Sequence, residues 1–446
     1  MTALIRAVRW IVPGLGIKRW LLLSLFGGVL FVNGIDRWMT DEGTQMHINE
    51  FVDNFVADFF PPEWLGYIFI GLGIVLIVLG IRQFLYSILN ALMPDRKRGI
   101  VDSLLEMRLN RGYKIVAVGG GTGLSTLLRG LKRYTANITA VVTVSDDGGS
   151  SGRLQKELGI LPPGDIRNCL VALADDETLV TALFRYRFET GDGLSGHSFG
   201  NLFVAAMTAI TGNFDRAVQE SSRVLNIKGR VVPATLAVVR LCARLADGTI
   251  VEGETNISKA TKPIEKVYFE PERADPLPEI ITAIREADAI VLGPGSLYTS
   301  ILPNLLVDRV AREIETSHAV KIYVCNVMTQ PGETDSYTAS EHVHALLSQA
   351  GARICDLAII NEEPPKKLVE MYAQEGQTPV VADSDAVSRL GVRPVRARVI
   401  SEDVNVRHDS EKLAAVVVGL IDDAVAQRAT YVKRASPAAE TQPANT

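Results

Sequence analysis

Five short blocks carry residues whose types and spacing could do chemistry, and each is suited to an anion or a sugar. The first is Gly119-Gly120-Gly121-Thr122-Gly123. Side-chain-free positions let backbone N–H groups approach a phosphate, and the start of a following helix adds positive potential. The spacing departs from the dinucleotide fingerprint, because Leu124 stands five residues after Gly119 and no Walker lysine follows. The turn therefore points to a phosphate ligand without pointing to routine NAD or ATP binding.

The second block is Ser145-Asp146-Asp147-Gly148-Gly149-Ser150-Ser151-Gly152-Arg153. Adjacent carboxylates such as Asp146 and Asp147 can accept ribose hydroxyls or hold a divalent cation through oxygen ligands. The small residues Gly149, Ser150 and Ser151 leave room for a nucleotide, and Arg153 can meet a phosphate. In the third block, Pro162–Asn168, Asp165 suits a helix N-cap, with Arg167 and Asn168 in the first turn facing the same crevice. The fourth, His197-Ser198-Phe199-Gly200-Asn201-Leu202, opens an apolar helix and offers a second anion or sugar site, with His197 either structural or functional. The fifth is Gly293-Pro294-Gly295-Ser296-Leu297-Tyr298, a second strand–glycine–helix turn. Two such turns suit two phosphates, or one diphosphate held from both sides. Asn326 ends a neighbouring strand on the same rim, and Lys228 and Arg230 could add charge. No zinc-like spacing or HExxH occurs, and no hydrolase triad is assigned.

The elements that must position these residues follow from the apolar pattern. KIVAVGG (114–120), an apolar helix over roughly 124–134, and ITAVVTVSDDGG (138–149) form a strand–helix–strand unit, the signature of a parallel sheet. The stretch 160–240 reads as mainly helical. Strand patterns resume at 287–296, 321–327, 356–362 and 378–383, with a hairpin over 243–258 turning at Asp247-Gly248. The expected architecture is an α/β, doubly wound, mostly parallel sheet with a helical insertion. Open α/β sheets bind ligands at the carboxyl ends of their strands, where these blocks fall.

Composition adds a separate layer. The chain has 446 residues, a net charge of −5 and four cysteines without a C-x-x-C pair, which argues against nucleic-acid binding, a disulfide scaffold and a zinc ribbon. Mean hydropathy is nevertheless +0.16. The apolar surplus is concentrated in Trp20–Ile35 and Trp64–Ile81, two uncharged runs of about 24 and 27 Å as helices. Basic residues flank the pair on its two outer sides (Arg6, Arg9, Lys18, Arg19; Arg82, Arg96, Lys97, Arg98), while the loop 36–63 holds seven acids and one base. The positive-inside pattern predicts a two-pass membrane hairpin over 1–94, with both ends cytoplasmic. A basic connector over 95–112 suited to anionic lipid, a folded domain over 113–434 and a disordered tail over 435–446 complete the expected layout.

Seven blocks in order, VGGGTGLSTLLRGLK, TVSDDGGSSGRL, LPPGDIRNCLVAL, HSFGNL, GRVVPAT, GPGSLYTSILPNLLV and NVMTQPGETD, resemble the CofD-like superfamily over roughly Lys114–Arg398. Within it the chain is most similar to the bacterial gluconeogenesis factors, the YvcK-like proteins. The membrane hairpin is an addition to that family's usual soluble form. The resemblance implies a Rossmann-like fold binding a UDP-sugar, such as UDP-glucose or UDP-N-acetylglucosamine, and a role in central carbon metabolism, cell-wall precursor control and cell shape. A second copy of the chain is a further candidate partner. No firm activity is attached to that branch, and no residue is given a catalytic role. The other branch, 2-phospho-L-lactate transferase, supplies the alternative: transfer from a nucleotide diphosphate-activated donor to a deazaflavin, with Mg2+ at the positions of Asp146 and Asp147.

Overall fold

The computed structural model describes residues 17–39, 62–92, 100–175, 178–366, 368–402 and 405–435. The loop 40–61, the bases Arg6 and Arg9 and the expected disordered tail from 436 lie outside the described residues. The chain divides into two compact units, Met1–Glu106 and Met107–Thr446.

The first unit holds α1 (Ile17–Met39) and α2 (Pro62–Leu92). The two run antiparallel along a seam of glycines spaced seven apart. A Cβ at Gly27 would lie 2.9 Å from Gly73 O, and one at Gly34 would lie 2.7 Å from Ile70 N. Backbone therefore packs on backbone, and the large side chains are turned outward. Leu22, Leu25, Phe26, Val32, Val75 and Val78 are all more than half exposed. Both helices are long and apolar enough to cross a membrane, and only 11% of each apolar window is buried within the structure.

The second unit begins with the end of α3 (Ile100–Asn110), which leads to β1 (Ile115–Gly119), α4 (Gly121–Leu131) and β2 (Ile138–Val142). Five helices follow: α5 (Gly149–Leu158), α6 (Gly164–Leu173), α7 (Thr178–Arg185), α8 (Phe199–Thr211) and α9 (Phe214–Val224). Next come β3 (Arg230–Pro233), β4 (Arg240–Leu245), β5 (Ile250–Glu252), the short turn α10 (Glu254–Ile257), β6 (Ile264–Glu270), α11 (Pro278–Glu286) and β7 (Ala289–Leu292). The chain continues through α12 (Leu302–Leu306), α13 (Val310–Thr316), β8 (Val320–Val324), α14 (Ala339–Ala350), β9 (Leu357–Asn361), α15 (Val369–Gln374) and α16 (Ser384–Arg389). It ends with β10 (Arg393–Ala397), the hairpin β11 (Ile400–Glu402) and β12 (Val406–His408), and α17 (Ser410–Ala435).

Seven strands form one parallel sheet in the order β10-β9-β8-β7-β1-β2-β3. Helices cover both faces, so the central strands read as continuous apolar runs. Alternate residues feed two cores. Val116, Val118, Ile290 and Leu292 enter one, and Ile115, Ala117, Ala289 and Val291 enter the other. Strands β5-β4-β6 form a separate antiparallel sheet, with the turn between β4 and β5 at Asp247-Gly248. The expected strand at 378–383 is absent. Pro379 makes a single bridge to Met328, and the edge strand lies further on at β10.

Candidate functional site

The chain leaves β1 in one direction toward β2 and β3, then returns to place β7 on the other side of β1. The crevice over the carboxyl ends of β1 and β7 is therefore the topological switch point, where such sheets bind ligands. The first and fifth blocks meet there. β1 ends at Gly119, Gly120 is extended, and Gly121 opens α4 at φ +61°. A Cβ at Gly123 would lie 2.5 Å from Pro294 O. Asn304 stitches the two turns together, donating to Gly119 O at 3.1 Å and to Ser300 O at 2.8 Å.

Together they line a cleft of about 470 Å³. Part of the lining is polar and acidic, with Asp165 against Gly120 and Gly121, and Glu254. Another part includes Val327, Met328 and Val406, a small apolar cluster packed with Tyr372, and adds Asn326, Gln377, Arg407 and His408. Sequence reasoning missed Glu254, Tyr372, Gln377, Arg407 and His408, because none stands in a glycine-rich block and the loops bearing them converge only in the fold.

The acidic wall is strongly perturbed. Asp165 does not cap its helix; Pro163 does, and Asp165 sits inside the first turn with its carboxyl against Gly120 and Gly121. Burial first, then the charge of Asp146, pushes Asp165 up to about 7, against the Gly121 N–H and Arg167. Glu254 is raised well above the usual carboxylate range by burial and by Asp146, Asp165, Glu333 and Asp147, and its Oε2 is closed to solvent with no partner. Asp146 is also raised by burial, though Gly148 N–H and Ser151 hydrogen-bond to its carboxylate. Asp147 accepts from Thr255 N at 2.9 Å and Thr255 Oγ1 at 2.7 Å, which ties α10 to the loop after β2. Asp146 and Asp147 thus each accept hydrogen bonds from their neighbours, and no group of three or more metal-ligating side chains occurs among the described residues.

The fifth block differs from the first. Ser296 lines the cleft beside Gly295, and its Oγ accepts from Gln330 Nε2, while Asn326 donates to Gln330 Oε1. The turn that follows, Leu297–Ile301, is already capped from within. The buried carboxylate of Glu333 takes Tyr298 N–H at 3.2 Å and Thr299 Oγ1–H at 3.0 Å. The Tyr298 N–H and the Thr299 hydroxyl are thus used by the protein, while Gly295 and Ser296 of the turn line the cleft. Tyr298 is buried, with its hydroxyl on that of Tyr337, and does not line the cleft.

The remaining blocks form a network outside the cleft lining. Gly149 starts α5 at φ +48° and Ser145 pairs with Thr143. Ser150 Oγ meets His197 Nδ1 at 2.9 Å and receives Asn201 Nδ2 at 3.1 Å. Ser198 caps α8 and accepts from Arg167 Nη1 at 2.6 Å, Arg167 Nη2 donates to Asn168, and Arg153 donates to Ser195 O. Burial, then Arg153, depresses the His197 imidazole. Lys228 and Arg230 lie at the other end of the sheet: Lys228 pairs with Asp175, and Arg230 donates to Thr139 at the amino end of β3.

Comparison with known proteins follows the same outline. The CofD family model, described as 2-phospho-L-lactate transferase CofD, matches residues 115–400. A Nostoc sp. protein described as a "putative gluconeogenesis factor" is 51% identical over 418 residues, covering 92% of this chain and 91% of that protein. The gluconeogenesis factor of Bacillus subtilis is 51% identical over 313 residues, covering 70% of this chain and 98% of that protein. A crystal structure of a UPF0052 family member from Bacillus halodurans superimposes with a TM-score of 0.67 at 50% identity, covering 69% of this chain and 99% of that one. With a family model across most of the second unit and half of all aligned residues identical, the chain belongs to the gluconeogenesis factor (UPF0052) family of CofD-like proteins.

Proposed function

We propose that the chain is a UDP-sugar-binding regulatory protein, held on the cytoplasmic side of a bacterial plasma membrane by its helical pair. The observation that carries the binding half is the divided lining of the switch-point cleft. A glycine turn at a helix start suits a diphosphate. An apolar wall with the Tyr372 ring and the Arg407 guanidinium suits a base and its phosphates. Carboxyls at the other wall suit hydroxyl-rich sugar. Family membership supports a place in central carbon metabolism, cell-wall precursor control and cell shape. The anchoring half rests on the outward apolar faces of α1 and α2 and on the basic flanks in the sequence.

Titration calorimetry and thermal melts with UDP-glucose and UDP-N-acetylglucosamine test the binding half. A ligand-dependent rise in Tm is expected, and flat responses at millimolar ligand would overturn it. The family model's description favours one second reading, transfer from a nucleotide-activated donor to a deazaflavin. Product formation with Mg2+ present separates the two.

A further inference from the structure

Glu254 belongs to none of the glycine-rich blocks, and the sheet that carries it is not the sheet that forms the cleft floor. It opens α10, directly after β5 of the antiparallel sheet. Its placement is nevertheless rigid. Asp147, from the loop after β2, grips Thr255 through both its N–H and its hydroxyl. The same carboxylate lies flat against Gly253, where a Cβ would overlap it, and Ile257 is buried beneath the turn. Asn256 Nδ2 closes the turn on Glu252 O at 2.9 Å. The loop after β2 thus holds a carboxyl from the antiparallel sheet in the cleft that the phosphate turn also lines.

Glu254 Oε2 is sealed from solvent, has no hydrogen-bond partner and belongs to a residue lining the cleft. A buried acceptor without a partner is costly, and a ligand that supplies a donor removes that cost. The donor's chemistry is set by the neighbourhood. Asp165 shares the cleft lining and Asp146 lies close behind, both near enough to act on Glu254, so phosphate oxygens are disfavoured there and fall toward Thr122 and Gly123. The base has its apolar wall at Val327, Met328 and Val406. What remains for Glu254 is the hydroxyl-bearing group beyond the diphosphate. A hydroxyl both donates and accepts, so it pairs with a carboxyl in either protonation state.

We infer that Glu254 is a specificity residue that reads a hydroxyl of the ligand's hexose, with Asp147 and Thr255 as the positioning residues that deliver it. The inference rests on the UDP-sugar reading above and assigns one part of the ligand to one atom. A site built to hydrogen-bond a hydroxyl rejects the analogue that lacks it. The test compares UDP, UDP-glucose and UDP-N-acetylglucosamine by calorimetry on the full chain in detergent. The wild-type chain should bind a UDP-hexose at least about tenfold more tightly than UDP. Glu254→Ala should bring that ratio close to one with UDP affinity retained. Glu254→Gln, which keeps the shape and one acceptor oxygen, should fall between and carries the test if the alanine variant fails to fold. Thr255→Val should lower the ratio in the same direction by loosening α10. A wild-type ratio kept in both Glu254 variants, or UDP and UDP-hexose affinities that fall together, would overturn the inference alone. A wild-type chain that binds none of the three ligands would overturn the UDP-sugar reading and the inference with it.

Discussion

Gly123 packs so tightly on Pro294 that an added Cβ would lie 2.5 Å from the proline carbonyl oxygen, 2.8 Å from its carbonyl carbon and 2.9 Å from the Gly295 Cα. All three are backbone atoms and cannot rotate aside. The two glycine turns are therefore one structure, and the last glycine of GGGTG, Gly123, serves packing while Gly120 and Gly121 line the cleft. Gly123→Ala should destabilise the second unit by about 1–3 kcal/mol through overpacking, seen as a fall of several degrees in Tm, and should weaken ligand binding by moving the turn. An unchanged melt would show that the turns can separate freely.

The apolar wall should carry much of the affinity. Tyr372 packs with Val327, Met328 and Val406, and its hydroxyl accepts from Val406 N at 3.2 Å. Tyr372→Ala removes a face against which a base can lie and frees the β12 backbone. Arg407→Ala removes a guanidinium that lines the cleft. Each should weaken UDP-sugar binding by roughly 10–100-fold, in the range for losing a stacked ring or a charge-assisted hydrogen bond. Calorimetry beside thermal melts separates lost binding from lost stability.

These residues also mark where the sequence stops being legible. The parallel sheet, the two glycine turns and their position over β1 and β7 could be read from apolar runs ending in glycine, because a strand covered on both faces has no polar alternation to hide it. The residues facing Tyr372 could not. They come from α15, from the loop after β8 and from the β11–β12 hairpin, which are distant in sequence and carry no shared pattern. The polar blocks hold a network that only the fold reveals. His197 and Asn201 meet Ser150, and Arg167 meets Ser198, between α5, α6 and α8, while Asn201 Oδ1 stays buried without a partner. A helix start whose donors are filled by an internal carboxylate, as Glu333 fills those of Tyr298 and Thr299, looks the same in sequence as one left open for phosphate.

Glu333 also gives the protein a pH signature. Burial raises its carboxyl from 4.5 to about 7 despite the donors it accepts. The folded state therefore holds a proton that the unfolded chain releases near 4.5. The stabilising contribution is complete below that pH and is lost as pH rises through 7, a change of roughly 3 kcal/mol. Asp165, also raised to about 7, acts in the same direction. His408, depressed to about 4 by burial, acts oppositely but only below about 6.5, where the unfolded imidazole takes up its proton. Between pH 6.5 and 8 the carboxyls act alone, so stability should fall across that interval. Urea midpoints at pH 6.5 and 8 should differ clearly in the wild type and less in Glu333→Gln. Equal midpoints in the wild type would contradict the raised carboxyls.

The start of the folded unit is set by hydrogen bonds that lie before the first strand. Leu109 is buried, and its carbonyl accepts from Ala136 N at 3.0 Å. Asn137 Nδ2 donates to Asn110 O at 2.9 Å and to Gly112 O at 2.7 Å. A chain begun at Met107 keeps these contacts, and a chain begun at Tyr113 loses them with one buried leucine. The shorter chain should be less stable by about 3 kcal/mol and melt several degrees lower. Coincident melts of the two would show that the end of α3 contributes nothing.

The helical pair makes the last prediction. Its glycines are consumed by the contact between α1 and α2. A Cβ at Gly73 would lie 2.7 Å from both Gly27 O and Phe31 N, so bulk there must push the helices apart. The outward faces should be little affected by such a change, because Leu22, Leu25, Phe26, Val32, Val75 and Val78 are more than half exposed and lie away from the glycine seam. Anchoring and pairing should therefore separate. The full chain should stay with membranes after carbonate washing, and so should Gly73→Leu, since lipid contact depends on the outer faces. Pairing should fail in that variant. Trp38 Nε1 and the Tyr67 hydroxyl meet at 3.1 Å across the two helices. Cysteines in place of Trp38 and Tyr67 should be joined efficiently by a short bifunctional maleimide in the parent chain, and several-fold less after Gly73→Leu. Release of the parent chain by carbonate would end the membrane reading, whereas equal cross-linking in both chains would end only the role given to the glycine seam.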